Sequence, residues 1–267
     1  MMSAFFKTCL ALGMLTTAVP AQAHEFWISP GSYQVAPGTA ITLTTRVGEN
    51  FKGGSGIYNP NRFARYDAFT AAGEMPVTGR IGDNPVTLDA PEGLVTVVHE
   101  TLDLSLRYTD PAKWQAFVDH KAFDGAMARH AARGLPDAGF VEAYRRFAKS
   151  LVAVGDGAGF DRQVGLRTEI LALDNPYTTD RSSIRVQVFL QNAPRVNAQV
   201  EIFDKAPDGT VTVSLTRTDG RGMAVVPVTP GHSYLVDAVT LVETANNDPA
   251  AGPVWQSLWA ALTFAVP

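Results

Sequence analysis

The sequence predicts a mainly β protein with two Ig-like β-sandwich domains and a helical hairpin inserted in the first. Three observations predict this fold class. Short segments rich in Val, Ile and Thr recur between Gly, Pro and Asp turn signals, as strands of a sandwich do. Residues 110–155 change to the spacing of helices. Alternating apolar and polar segments then resume from residue 183.

Residues 1–23 predict a cleaved signal peptide. Lys7 supplies a positive start, Cys9–Val19 is a short apolar run, and Ala21-Gln22-Ala23 is a small-x-small cleavage signal. The apolar run is too short to span a bilayer as a helix. We therefore expect a periplasmic or secreted protein that begins at His24 and keeps no transmembrane anchor.

The composition narrows the chemistry that the mature chain can perform. Its one cysteine, Cys9, lies in the predicted signal peptide, so neither disulfides nor thiolate ligands are expected. Any metal site must then use imidazole, amine, carboxylate or methionine sulfur. The formal net charge is −4, and removal of Lys7 with the signal peptide makes it more negative. This balance argues against nucleic acid as a partner, because such proteins carry a basic face.

Residues 24–180 are predicted to form the N-terminal β-sandwich. Its clearest strands are Ala40–Val47, Leu94–Val98 and Leu102–Leu106, and glycines such as Gly31 and Gly73 separate the segments.

The helical insertion is predicted at about 110–155. Asp110-Pro111 reads as an N-cap followed by proline in the first turn of a helix that Gly134 and Pro136 end. Its apolar side chains at helical spacing are Trp114, Phe117, Val118, Ala122, Ala126 and Met127. A second helix is expected from a run that places five apolar side chains on one helical face and ends at Gly155. These side chains are Val141, Tyr144, Ala148, Leu151 and Val152.

Residues 181–267 are predicted to form the C-terminal Ig-like sandwich. Pro207-Asp208-Gly209 and Asp219-Gly220 are typical of hairpin turns between strands. The expected strands are Ile184–Leu190, Ala198–Phe203, Val211–Leu215, Met223–Val228, Tyr234–Val242 and Trp259–Val266.

His24 is the strongest candidate ligand. Cleavage after Ala23 would place a free α-amine and an imidazole on the same residue. Two nitrogen donors on one residue close a chelate ring, and tetragonal nitrogen sets suit copper and nickel. The alternative is that His24 simply follows a cleavage site and is exposed.

The other histidines are weaker candidates. His99 ends a predicted core strand and would meet His24 if the two strands are neighbours, although a strand-end histidine bonded to backbone is the simpler interpretation. His120 and His130 are expected on a helix surface, and His232 in an exposed turn. Glu25 and Glu49 would offer oxygen ligands, but solvated side chains are expected there.

No residue pattern predicts catalysis. Ser257 lacks the Gly-x-Ser-x-Gly turn of serine hydrolases, and the glycine-rich segment 155–159 lacks the Lys-Ser/Thr of a phosphate-binding loop. Large aromatic residues are expected in the core rather than on a binding surface. They are Phe26, Trp27, Trp114, Trp255 and Trp259.

Seven segments together resemble a known family of periplasmic proteins with a domain of unknown function. These proteins are often described as a nickel or cobalt uptake component, the periplasmic part of an ABC-type cobalt transporter. The segments are HEFW at 24–27, RVGENFKG at 46–53, GRIGDNP at 79–85, YRRFAKSLVAVG at 144–155, FDRQVGL with DNPY within 160–177, TDGRG at 218–222 and W-x-S-x-W-A-x-L-T-F at 255–264.

The resemblance implies an exported all-β core with a helical insertion, and a link to metal transport. One position departs from the pattern. Relatives commonly carry histidine in the last long strand, in a segment like Val239–Val242, where this chain has Thr240.

Three functions remain open from the sequence. The first is a non-catalytic periplasmic protein that captures or delivers nickel, cobalt or copper at His24, with His99 as the second candidate ligand and a membrane metal transporter as partner. The second is a copper-dependent oxidative enzyme. The third is a metal-independent binding or assembly module of the envelope, since a fold does not fix a function.

Overall fold

Residues 24–267 are described by a computed structural model, and the predicted signal peptide lies outside these described residues. Strands make up 50% of the chain and helices 8%, and the strands form several sheets. The predicted mainly β class is therefore confirmed.

The first half of the described chain contains nine strands and both α-helices. The strands are β1 (Glu25–Pro30), β2 (Gln34–Val35), β3 (Ile41–Glu49), β4 (Lys52–Ser55), β5 (Phe63–Thr70), β6 (Gly73–Pro76), β7 (Val86–Leu88), β8 (Gly93–Thr101) and β9 (Leu104–Tyr108). The helices are α1 (Pro111–His120) and α2 (Ala126–Ala132).

The second half is composed of strands. They are β10 (Phe140–Val154), β11 (Thr168–Ala172), β12 (Ser183–Leu190), β13 (Ala193–Pro194), β14 (Gln199–Lys205), β15 (Val211–Arg217), β16 (Met223–Pro227), β17 (Ser233–Glu243) and β18 (Trp255–Ala265).

One ten-stranded sheet runs through the described chain, in the order β15-β14-β17-β18-β10-β8-β5-β6, with β2 and β9 also paired to β10. Its two halves join where β10 and β18 pair in parallel from Glu142 with Trp255 to Ser150 with Thr263. Two four-stranded sheets complete the fold. The first contains β1, β3, β4 and β7, and the second contains β11, β12, β13 and β16.

The two small sheets pack on opposite faces of the large one. On β18, Ala261 belongs to the core shared with β1 and β3, whereas Ala260 and Leu262 belong to the core shared with β11 and β12. Because successive side chains of a strand lie on opposite faces, the two cores are on opposite sides of the large sheet. Each half of the large sheet thus forms a sandwich with its own small sheet.

The large sheet takes strands from both sides of the predicted boundary at residues 180 and 181, and β11 pairs with β12 across it. The boundary itself stays a prediction. The strands predicted between Ile184 and Val266 all occur as β12 and β14–β18, with ends shifted by a few residues.

The predicted helical insertion is only partly correct. The Asp110 side chain accepts a hydrogen bond from the Ala112 amide at 3.0 Å, as expected of an N-cap. The second predicted helix is wrong, because residues 140–154 form the long strand β10. The first predicted helix is broken into α1 and α2, because Ala122 and Gly125 between them adopt positive φ angles.

The two helices cover one end of the large sheet and form a third apolar cluster with β9, β10, β17 and β18. Trp114, Phe117 and Trp259 are buried in it, and the rings of Phe117 and Trp259 stack 5.8 Å apart. All five aromatic residues expected in the core are buried. Neither helix of residues 24–267 is long and apolar enough to cross a membrane.

Candidate functional site

His24 lies directly before β1, beside the hairpin that joins β3 to β4. Its Nε2 is 3.7 Å from Oε1 of Glu49, and the two side chains are 55% and 39% exposed. The contact follows from strand pairing, because Glu25 pairs with Gly48 and the next register position brings His24 to Glu49. An imidazole and a carboxylate therefore meet on an accessible edge.

Arg146 of β10 contacts the backbone of His24. Its Nη2 donates a hydrogen bond to the carbonyl oxygen of His24 at 3.2 Å, and its guanidinium lies 6.0 Å from the ring centre of Phe26. Burial lowers the pKa of Arg146. This anchor joins the first strand to the centre of the large sheet, so the position of His24 depends on the tertiary fold.

Glu25 was expected to be solvated, and the structure corrects this. The residue is 4% exposed, and its Oε2 is buried without a hydrogen-bond partner among residues 24–267. Burial, reinforced by the nearby negative charge of Asp237, raises the pKa of Glu25 to about 8. A carboxyl group that holds its proton near neutral pH thus lies directly behind the exposed histidine.

Glu25 belongs to a group that we call the buried charge cluster: Glu25, Lys121, Glu201 and Asp237. Lys121, at the end of α1, places Nζ 2.7 Å from Oε1 of Glu201 and 3.4 Å from Oδ2 of Asp237. All four residues are at most 4% exposed. Burial raises the pKa of Asp237 to about 6. Of the three acidic groups Glu25 has the highest pKa, so Glu25 retains its proton most readily.

His99, the second predicted ligand, lies in an aromatic pocket. It is 7% exposed, and its ring centre is 5.1 Å from that of Phe26, 5.2 Å from that of Phe63 and 4.9 Å from that of Tyr66. Burial lowers its pKa to about 3, so the imidazole is neutral. Its Nδ1 is buried without a hydrogen-bond partner in the described chain.

The fold brings His99 against Phe26, two residues after His24. The strands β1 and β8 therefore approach each other, as the sequence hypothesis required. Shared ligation by His24 and His99 stays a prediction.

The remaining histidines serve structural contacts. His130 was expected on a helix surface, but it is 3% exposed because α2 turns it into the aromatic cluster. Its Nδ1 accepts a hydrogen bond from Nε1 of Trp255 at 2.9 Å, which leaves Nε2 to donate to the Pro136 carbonyl at 3.0 Å. His120 lies 3.6 Å from Glu201, and Nδ1 of His232 lies 2.6 Å from Asp204.

Side chains alone do not assemble a complete metal site in residues 24–267. No group of three or more His, Cys, Asp or Glu side chains there is arranged to hold a metal ion. His24 and Glu49 supply two donors, and Thr240 lines a different cavity together with Lys121 and Arg195. Any third donor near His24 has to come from elsewhere, such as the amine that cleavage would release.

Sequence reasoning missed the buried charge cluster. One signal was available, since Glu201 and Asp237 each interrupt an apolar strand, in VEIF and LVDAV. A charged residue inside such a run either faces solvent or has a partner in the core. The partner, Lys121, comes from a helix far away in the sequence and had no signal of its own.

Residues 21–241 match a family whose description reads "Domain of unknown function (DUF4198)". The chain belongs to this family. Membership confirms the predicted resemblance at the level of the family, and the link to nickel and cobalt uptake stays a prediction. No curated protein matched the sequence.

Solved structures with partial similarity include the D0-D1 domain of intimin, at 17% identity over 90% of this chain and 97% of the other, with a TM-score of 0.21. A tetra-tandem repeat from a large adhesion protein has 15% identity over 91% and 49% of the two chains, with a TM-score of 0.19. Trypsin-activated alpha-2-macroglobulin from Escherichia coli has 11% identity over 91% and 16%, with a TM-score of 0.21. Scores this low carry no functional argument.

Proposed function

We propose that the mature, exported protein binds a divalent transition metal ion, nickel, cobalt or copper, at His24 and captures or delivers it in the periplasm without chemical conversion. The observation that carries the proposal is the exposed pair of His24 and Glu49, whose Nε2 and Oε1 atoms are 3.7 Å apart. Metal–nitrogen and metal–oxygen bonds are each about 2.0 to 2.2 Å long, so both atoms are close enough to reach one ion.

The donor set becomes chelating only after cleavage. The α-amine and the imidazole of His24 then share one residue, and the Glu49 carboxylate adds an oxygen. Two nitrogens and an oxygen suit copper and nickel, and copper has the higher intrinsic affinity in the divalent series. Exposure supports exchange, since an ion on an accessible edge can pass to a partner such as a membrane transporter.

The decisive experiment compares two forms of the mature protein that differ only at the α-amine of His24. In one form the amine is free, and in the other it is acetylated, which keeps every side chain and removes the amine from the chelate. Calorimetric titration with Cu(II), Ni(II) and Co(II) should show affinity for at least one ion that is weaker by about tenfold or more in the acetylated protein. Equal affinities would overturn the proposal.

The chain offers a matched control for histidine binding. His120 is also exposed and lies 3.6 Å from the buried carboxylate of Glu201, but it carries no amine that cleavage can free. His24→Ala should abolish the chelate-dependent affinity, Glu49→Gln should weaken it, and His120→Ala should leave it unchanged. His99→Phe tests the second predicted ligand, because phenylalanine preserves the aromatic packing.

A further inference from the structure

A second surface feature adjoins the β3–β4 hairpin. We call it the cationic cleft, a cavity of about 320 Å³ whose lining includes Ser29, Arg46, Phe51, Lys52, Lys205 and Ser233. Its walls come from β1, from the β3–β4 hairpin, from the end of β14 and from the start of β17. The cleft thus lies between the first small sheet and the large sheet.

The cations of the cleft have no ion-pair partners in the described chain. The lining contains no Asp or Glu. Among residues 24–267, no carboxylate oxygen lies within 4.0 Å of the charged nitrogens of Arg46, Lys52 or Lys205. Three unpaired cations around one cavity create a local positive potential. This potential is opposite in sign to the formal net charge of the whole chain, which is −4.

A comparison within the same molecule shows that this arrangement is unusual. The cavity beside the helices also contains several cations, including Lys121, Arg129 and Arg217. Each of these has a carboxylate within 4.0 Å, on Glu201, Glu243 and Asp124 respectively. Arg195 also lines that cavity and has no carboxylate within 4.0 Å among the described residues, so most but not all cations there are paired, whereas none of the three in the cationic cleft is.

The turn of the β3–β4 hairpin forms one wall of the cleft, and its backbone is strained. Asn50 and Phe51 form its two-residue turn, and both have left-handed φ angles, 52° and 57°. Such angles suit glycine or asparagine and are costly for a bulky residue such as phenylalanine. Packing offsets this cost, since the Phe51 ring lies 5.5 Å from that of Trp27, and Lys205 Nζ lies 5.5 Å from the Phe51 ring centre. The turn thereby fixes one wall of the cleft next to a lysine.

We propose that the cationic cleft binds a small anion bearing phosphate or carboxylate groups. Arg46 uses Nη1 for the Gly53 carbonyl at 3.1 Å, and its other N–H groups can donate to an oxyanion. The lysines supply point charges, and the hydroxyls of Ser29 and Ser233 supply neutral donors. A volume of about 320 Å³ lies at the lower end of the range for ligand pockets, which favours a small molecule. The negative net charge disfavours a large polyanion.

The test is a calorimetric titration of the mature protein with inorganic phosphate and with citrate at low ionic strength, with sodium chloride at matched ionic strength as the blank. We expect saturable binding of at least one probe, and the more tightly bound probe identifies the chemical class. Lys52→Gln and Lys205→Gln should each weaken it by about tenfold, and Arg46→Gln should weaken it further. Lys113→Gln, at an exposed position on α1, should have no effect.

Two results would overturn the proposal. The first is the absence of saturable heat with both probes, and the second is an unchanged affinity in the protein that combines Arg46→Gln, Lys52→Gln and Lys205→Gln. Lys52 is exposed, so Lys52→Gln preserves the core and remains informative if the Arg46 variant is unstable. His24→Ala should retain anion binding, which separates this site from the proposed metal site.

Discussion

His24 and Glu25 are adjacent in the chain, yet their side chains have opposite surroundings. More than half of the His24 side chain is exposed beside Glu49, whereas Glu25 is 4% exposed and lies among the charges of Lys121, Glu201 and Asp237. Alternation along β1 produces this difference. The first two residues of the described chain therefore present an imidazole to solvent and a protonated carboxyl group to the interior.

Glu25→Gln should change how stability depends on pH. The folded protein keeps the Glu25 proton up to about pH 8, whereas the unfolded chain releases it near 4.5. The folded state thus binds more protons in this window, and stability falls as the pH rises through it. The variant lacks this loss, so its free energy of unfolding relative to wild type should rise between pH 5 and 8, on the order of 1 to 3 kcal/mol.

Urea denaturation of the two proteins at several pH values measures this difference. Glu49→Gln is the control, because Glu49 is half-exposed and should show no comparable trend. A difference between Glu25→Gln and wild type that stays constant across the window would contradict the assigned proton.

His99→Phe should reduce sensitivity to acid. The pKa of His99 falls from 6.5 to about 3 on burial, so the unfolded chain takes up a proton that the folded protein excludes. Wild type therefore loses stability as the pH falls from about 6.5 towards 3. The variant has no such group. Its free energy of unfolding relative to wild type should therefore rise by on the order of 1 to 3 kcal/mol as the pH falls from 7 to 4. Parallel stability curves would count against a buried neutral imidazole.

Lys149→Met should strongly destabilise the fold. Lys149 Nζ lies 2.8 Å from Oδ1 of Asp161 and 3.0 Å from Oε1 of Glu169, and all three side chains are at most 1% exposed. Removing the ammonium leaves two buried carboxylates without their cation, which costs about 3 to 5 kcal/mol. Chemical denaturation measures the loss, and Lys113→Met, at an exposed helix position, should change stability by less than about 0.5 kcal/mol.

Asp110→Ala should weaken α1 locally. The Asp110 carboxylate accepts the Ala112 amide at the start of the helix, and losing such a cap costs about 1 kcal/mol. Hydrogen exchange should show faster exchange in α1, with β10 and β18 unaffected. Lys113→Ala in the same helix keeps the cap and should leave exchange close to that of wild type.

Local sequence signals predicted the strands whose two faces differ. In β12, buried residues such as Ile184, Val186 and Val188 alternate with more exposed ones, so a period of two is visible in the sequence. Turn residues such as Asp219-Gly220 marked the ends of neighbouring strands. The N-cap at Asp110 was visible for the same reason, since it depends on contacts two residues away.

Strand β10 was misassigned because both of its faces are covered. From Phe147 to Val154 every residue is buried, so apolar side chains occur at consecutive positions before and after Lys149 and Ser150, and no alternation remains. Such a run also fits the apolar face of a helix, and only pairing with β8 and β18 selects the strand.

The sequence by itself determined the family and the mainly β class, and it predicts a cleavage signal before His24, because each of these depends on patterns within short segments of the chain. Only the tertiary structure decided that Glu25 is buried beside Asp237, that Glu49 faces His24, and that the cations of the cleft converge. These features join residues far apart in the chain, and the charge that each group carries depends on burial and on neighbours supplied by other strands.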